Sequence, residues 1–186
     1  MRITVGISGG SGAIYALALL RALRDLGIES HLVVSTMGER VMEHECGVGP
    51  EELAAYADVV HENGNLGASI ASGSYHSDGM AVVPCSMKTL AAIAHGYSDN
   101  LLTRAADVTV KERRPLVLVP REVPYSPIHL ENMLALARAG VVILPPSPAF
   151  YNHPKDLGDI VRFVAGKILD QLRIEHGLYK RWNGEY

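Results

Sequence analysis

The first thirteen residues constrain this chain more than any other stretch. A short apolar run, Ile3-Thr4-Val5-Gly6-Ile7, breaks into Ser8-Gly9-Gly10-Ser11-Gly12 and then into a helical pattern. Strand, glycine-rich turn and helix in that order form the opening unit of a parallel α/β sheet. Glycines let the backbone turn tightly and approach a ligand closely. Exposed N–H groups at the helix start, with the helix dipole, favour an anion there. The loop reads as a phosphate cradle for a nucleotide-like cofactor, with Ser8 and Ser11 as hydroxyl donors; a plain tight turn is the alternative.

The rest of the chain repeats the alternation. Strands are expected at 3–7, 31–35, 59–61, 80–83, 116–119 and 141–144, and helices at 13–26, 38–45, 87–95, 101–112, 128–139 and 157–172. Ile14, Leu17, Leu20 and Leu23 recur at helical spacing and predict one buried face. Gly27 and Gly140 stand where helix-ending glycines belong. The expected fold is α/β: a single-domain, three-layer Rossmann-like arrangement with a parallel sheet. Residues 1–176 form that domain. Residues 177–186 are polar and aromatic, and read as a mobile arm or a contact covering the site or a neighbouring subunit.

Composition narrows the function classes. The 186 residues are 48% hydrophobic and 20% charged, enough for one sizeable core. A net charge of −3 offers no broad attraction to nucleic acid or anionic membrane. No apolar run nears the roughly 20 residues that span a bilayer. Two cysteines, Cys46 and Cys85, are too few for a disulfide framework, and a strand at the very start leaves no room for a signal peptide; a cytoplasmic setting is expected. The eight histidines are scattered, and His44-Glu45 lacks a second His at metalloprotease spacing, so no metal site is expected.

Every chemically interesting segment follows an expected strand, where α/β folds bind ligands. Ser35-Thr36 follows the second. Pro84-Cys85-Ser86-Met87-Lys88-Thr89 follows the fourth, with Ser86 as a good helix N-cap. Pro120-Arg121-Glu122-Val123-Pro124 follows the fifth. Arg121 suits a phosphate, and a partly desolvated Glu122 suits proton transfer; a surface ion pair is the plainer reading. Pro145 to Tyr151 follows the sixth. Ser72-Gly73-Ser74-Tyr75 reads as a flexible flap or a solvated loop. Arg113 and Arg114 read as complements to a helix C-terminus, and Cys85 as a buried structural thiol.

These segments, with Leu101-Leu102-Thr103-Arg104-Ala105-Ala106-Asp107-Val108, Lys111-Glu112-Arg113-Arg114-Pro115 and Pro148-Ala149-Phe150-Tyr151, closely resemble the UbiX-like flavin prenyltransferases over essentially the whole chain. The resemblance implies dodecamers that bind FMN and transfer a dimethylallyl group from dimethylallyl phosphate, without a metal, to N5 and C6 of reduced FMN. It implies that the prenylated product serves UbiD-like decarboxylases, in quinone biosynthesis or aromatic acid breakdown. It places FMN against Gly9, Gly10, Ser11, Ser35, Ser86, Met87, Lys88, Thr89, Arg104 and Arg121. It places the donor against Lys111, Arg121, Tyr151, Lys167 and Trp182. Catalytic roles fall to Glu122, Lys111, Glu45 and Ser11, with Glu122 handling a proton during ring closure.

Two positions depart from the family pattern. Gly10 stands where Ala is common. Lys167 stands where many relatives carry Arg, which keeps the charge but gives up the bidentate fork, and leaves phosphate, diphosphate or a longer prenyl chain open as donor. Two further readings stay in view: a flavin-dependent cysteine decarboxylase of the same wider fold, against which the 145–151 loop speaks, and a non-catalytic flavin carrier.

Overall fold

The computed structural model describes residues 1–184; Glu185 and Tyr186, the end of the 177–186 tail, lie outside the described residues. Six strands, β1 (Arg2–Ile7), β2 (Glu29–Val34), β3 (Val59–His61), β4 (Gly79–Cys85), β5 (Leu116–Pro120) and β6 (Val142–Ile143), form one parallel sheet in the order β3-β2-β1-β4-β5-β6. The order runs outward both ways from β1 and β4. The crevice beyond the carboxyl ends of that central pair is the topological switch point, where ligands bind in open α/β sheets.

Strand periodicity sorts the core into two layers. Ile3, Val5, Ile7, Leu32, Val34, Ala81, Val83, Val117 and Val119 face one side. There they meet α1 (Ala13–Asp25), α2 (Thr36–Cys46), α3 (Pro50–Ala54) and α7 (Leu157–Gln171). Val33, Met80, Val82, Leu116 and Leu118 face the other side. They meet α4 (Met87–Ala94), α5 (Leu101–Lys111) and α6 (Pro127–Arg138). Alternate residues of a strand point to opposite faces, so a strand buried on both sides reads as a continuous apolar run.

Several boundaries differ from the sequence reading. β2 starts at Glu29, not 31, because Glu29 pairs with Arg2 and Ser30 is held by Asp58 through its amide (2.7 Å) and hydroxyl (3.0 Å). It ends at Val34: Ser35 is the N-cap of α2 and accepts from the Gly38 amide at 3.1 Å. β4 is longer and β6 shorter than expected. The single-turn α3 and a 3-10 turn at Ser69–Ala71 were not expected; each buries one apolar side chain, too few to show a period. Ile14 leaves the buried stripe of α1 and is 38% exposed. Gly27 and Gly140 take left-handed φ values of 66° and 89° at their helix ends, as expected.

The 72–75 loop is tied down rather than flap-like. Arg114 donates to the carbonyls of Tyr75 (2.9 Å) and Gly73 (2.7 Å), and the Arg2 guanidinium lies 4.5 Å from the centre of the Tyr75 ring. Arg114 thus holds a loop instead of complementing its own helix. No helix among the described residues is long and apolar enough to cross a membrane.

Gly38 lets the first turn of α2 close against β1. A Cβ there would sit 2.7 Å from the Ile7 carbonyl oxygen, a backbone atom that cannot swing away. Gly38→Ala is expected to lower stability by about 1–3 kcal/mol, the usual cost of overpacking, although Ala is by itself the better helix former. Urea unfolding checks this; an unchanged or raised midpoint contradicts the close approach.

Candidate functional site at the sheet switch point

The site begins with Ser8, a buried serine at the end of β1. Its hydroxyl donates to the Pro84 carbonyl at 3.1 Å and accepts from the Ser86 amide at 2.7 Å. The loops after β1 and β4 are thereby braced together. Ser8 is a structural pin, not the ligand donor expected from the sequence.

The start of α1 differs from the sequence reading in a second way. Gly12 caps α1 with φ 106° and offers no side-chain cap. Glu45, from the end of α2, fills that role: its Oε2 accepts from the amides of Gly12 (2.8 Å) and Ala13 (3.0 Å). Burial draws the Glu45 carboxyl up, but the Ser11 hydroxyl, those two amides and the nearby Arg121 charge outweigh it and hold it below its ordinary value. The expected phosphate cradle at the head of α1 is therefore occupied by a protein carboxylate. Ser11, Glu45 and Arg121 form one polar group on the crevice's rim.

The open anion site lies next to it. A cavity of about 490 Å³ is lined by Gly9, Ser35, Ser86, Lys88, Thr89 and Asn100. Three helices begin there, and each is capped by a short polar side chain. Ser35 caps α2, Ser86 caps α4 through the Thr89 amide (3.3 Å), and Asn100 caps α5 through the Thr103 amide (3.1 Å). Three positive helix ends facing one cavity favour a dianion such as a phosphate monoester. Gly9 borders it so tightly that a Cβ would lie 2.6 Å from Met37 Cβ. Gly10 is roomier: an added Cβ would meet Pro84 at 3.4 Å, so Ala fits there. Asn100 and Asn63, whose Oδ1 accepts from the Leu102 amide at 3.0 Å, were missed in the sequence. An Asn just before a helical run was the available signal for Asn100.

Arg121 is exposed and Glu122 half-buried at the carboxyl end of β5, with Glu122 Oε1 accepting from the Val123 amide at 3.1 Å. Cys85 is fully buried and burial pushes its thiol up, which suits structure and not nucleophilic attack. Met87 packs into the second core layer.

The remaining expected residues lie elsewhere in the chain. Lys111 ends α5, and its ammonium pairs with Glu112 beside Gly73. A helix between parallel strands runs back against them, so its end lies at the amino edge of the sheet, opposite the crevice. Arg104 is on the same helix, pairing with Asp107 at 2.7 Å and donating to the Ala71 carbonyl at 3.1 Å. Tyr151, Lys167 and Trp182 gather on α7. Tyr151 meets Trp182 and Phe163 edge-on, with ring centres 5.8 and 6.2 Å apart. Lys167 Nζ lies 3.4 Å from Asp170. The tail packs on α7 of its own chain through His176, Tyr179 and Arg181, and Trp182 reaches Tyr151. Bonds from Tyr179, Arg181 and His176 overcome the upward push of burial and hold the Asp170 carboxyl at about 2.

A larger groove of about 600 Å³ lies between α1 and α7, lined by Ile14, Leu17, Glu45, Val161 and Leu178, with Gly158 at the start of α7 on its edge. Among the described residues no group of three or more His, Cys, Asp or Glu side chains could hold a metal ion.

The Flavoprotein family model matches residues 1–169. A probable UbiX-like flavin prenyltransferase of Escherichia coli O157:H7 is 52% identical over 185 residues, covering 99% of this chain and 94% of that protein. The crystal structure of AnUbiX (PadA1) in complex with FMN and dimethylallyl pyrophosphate superposes with a TM-score of 0.98 at 48% identity, covering 100% of this chain and 98% of that one. A dodecameric FMN-dependent UbiX-like decarboxylase structure from Escherichia coli O157:H7 gives 0.96 at 52% identity, covering 99% and 100%.

The Asp170 cluster makes acid stability predictable. A carboxyl whose folded value is lowered contributes stability that is complete above its unfolded value, about 4, and lost as pH falls toward the folded value. For Asp170 the window runs from there down to about 2. The thermal midpoint is expected to fall steeply across that window, and less steeply in Asp170→Asn. Melting curves at stepped pH check it; parallel falls in both proteins contradict the assignment.

Proposed function

The chain belongs to the UbiX-like flavin prenyltransferases of the Flavoprotein family, and from that premise we propose that it joins the dimethylallyl group of dimethylallyl phosphate to FMN at the switch-point crevice. The observation that carries this reading is the convergence of three capped helix starts on one cavity. An FMN phosphate fits that cradle: the Ser35, Ser86 and Thr89 segments supply N–H and hydroxyl donors, and Lys88 a charge. Ser11, Glu45 and Arg121 would then hold the flavin ring. Reduced FMN supplies the nucleophilic N5 and C6 that accept the prenyl group.

The chain's own residues do the rest. Cations from Arg121, Lys111 and Lys167 neutralise the departing phosphate. The Tyr151 and Trp182 rings face the developing allylic cation and stabilise it by cation–π attraction. A dry aromatic wall keeps water from capturing that cation. Glu122 Oε1 is engaged by the Val123 amide, which leaves Oε2 to take the proton released as the second bond forms.

Lys111 lies across the sheet from Arg121 in one copy, so the complete site needs neighbouring copies. Val123, Ile128, Leu130 and Leu134 are exposed at 78%, 67%, 52% and 51%, apolar surface on and before α6 that suits burial between copies. We take the assembly to be the dodecamer reported for the Escherichia coli O157:H7 relative, with Arg104 near the boundary. The product is consumed by a decarboxylase of the UbiD type. Two free cysteines fit a reducing cytoplasm.

Two measurements test the reading. The enzyme is reduced anaerobically with FMN, given dimethylallyl phosphate, and the extracted flavin weighed. A gain of one dimethylallyl unit is expected. Unmodified FMN with the phosphate but a gain with the diphosphate would reassign the donor, and no gain with either would leave a flavin carrier. Separately, Ser86→Asp keeps a good N-cap, within about 1 kcal/mol, while placing a negative charge in the cradle. It is expected to fold normally and purify colourless; yellow protein would move the phosphate elsewhere.

A further inference from the structure

One half-buried carboxylate, Asp170, has no part in the donor site so far described. Asp170 stands near the end of α7 with its side chain 14% exposed, and four donors meet its two oxygens. Oδ1 accepts from Arg181 (2.7 Å) and faces His176 Nε2 (3.1 Å). Oδ2 accepts from Tyr179 (2.5 Å) and from Lys167 (3.4 Å). Three of those donors belong to the segment after α7, and the fourth is the cation assigned to the donor phosphate.

The segment is also seated by shape. Gly166, one residue before Lys167, leaves a notch in α7 that the Tyr179 ring fills; a Cβ there would lie 2.6 Å from Tyr179 Cδ1 and 2.8 Å from His176 Cε1. From Tyr179 the rings continue without a gap. Phe163 is 4.9 Å away, Tyr151 lies 6.2 Å beyond it, and Trp182 stands 5.8 Å from Tyr151. Tyr151 and Trp182, 46% and 47% exposed, present this aromatic corner outward. Arg181, the residue before Trp182, is the last group held by Asp170.

We propose that Asp170 is a positioning residue for donor binding: it latches the returning tail onto α7, so that Trp182 is set against Tyr151 and the Lys167 ammonium is held one turn away on the same helix. The idea rests on the reading of Tyr151, Lys167 and Trp182 as the donor side of the site. A neutral amide cannot replace the carboxylate. Asn offers one acceptor oxygen in place of two, and leaves Lys167 and Arg181 without a countercharge. Charge-assisted bonds of this kind are the stronger class.

The chain's single tryptophan is Trp182, so its fluorescence reports the tail directly. The test uses the FMN-loaded enzyme, with acrylamide quenching measured before donor is added and apparent donor KM and kcat measured anaerobically after. Asp170→Asn is expected to raise the quenching constant about twofold and the dimethylallyl phosphate KM about tenfold, with kcat changed less than about threefold. Gly166→Ala attacks the same latch from its other side, through the Tyr179 ring, and leaves Asp170 and Lys167 in place. It is expected to move both readouts the same way. Wild-type quenching in both variants overturns the latch. Raised quenching with an unchanged KM, while Lys167→Ala raises KM, overturns the positioning role. If Lys167→Ala and Trp182→Ala both leave KM unchanged, the donor-site reading itself has failed, and the positioning role falls with it.

Discussion

The Ser8 hydroxyl donates to the Pro84 carbonyl and accepts from the Ser86 amide, so the turn leaving β1 and the start of α4 hold one fixed separation. β1 and β4 are the two central strands, and each sends its chain to a different face of the sheet. A crevice must open between those departures. What decides whether it can hold a ligand is how rigidly its two lips are set. A buried hydroxyl with both a donor and an acceptor partner has no reason to turn elsewhere, and leaving either partner unmet costs about 1–3 kcal/mol. The cavity lined by Gly9 and Ser86 inherits its dimensions from that pin.

Glu45 then decides where an anion goes. The starts of α1, α2, α4 and α5 lie near this crevice, and all carry the same partial positive charge. The carboxylate of Glu45 consumes the one at α1. The starts of α2, α4 and α5 are capped by neutral side chains from Ser35, Ser86 and Asn100, which satisfy one amide each and bring no charge of their own to the helix end. On the proposed reading, a phosphate goes to the neighbouring cavity and not to the glycine loop, which is left to approach the flat part of a ligand. The Arg121 charge lies near enough to favour the ionised Glu45 carboxylate.

Much of this fold was legible because the sheet is buried on both faces: Leu116 to Val119 is an unbroken apolar run, and in Ile3 to Ile7 Thr4 is the single polar residue. β2 was harder. Ser30 and His31 are buried polar residues satisfied by Asp58, Glu29 and His61, partners up to 30 residues away that no local pattern reveals. The same distance problem hid the cap that Glu45 supplies and the role of Asp170. The N-cap Ser86 is legible because a cap and its helix are adjacent, whereas Ser35 reads as the end of β2 until the Gly38 amide is seen to donate to it. Lys111 shows the opposite limit. Its motif reads as part of the site, yet the reversal of direction between α5 and β5 puts it at the far edge of the same chain.

On the proposed reading, the two ends of the donor site differ in how they are completed. Tyr151, Lys167 and Trp182 are assembled within one copy, through contacts between α7 and the residues that follow it. Lys111 can reach the crevice only from another copy, and in the isolated chain its ammonium is engaged by Glu112. Assembly must therefore exchange an intrachain ion pair, made by side chains about 40% exposed and so weak, for contact with a phosphate that offers more charge. The exchange is easy in that direction. Lys167 is the contrasting case: its partner Asp170 is shared with three other donors, so each claims only part of its charge. That sharing holds the ammonium in place without neutralising it, which a donor phosphate then can.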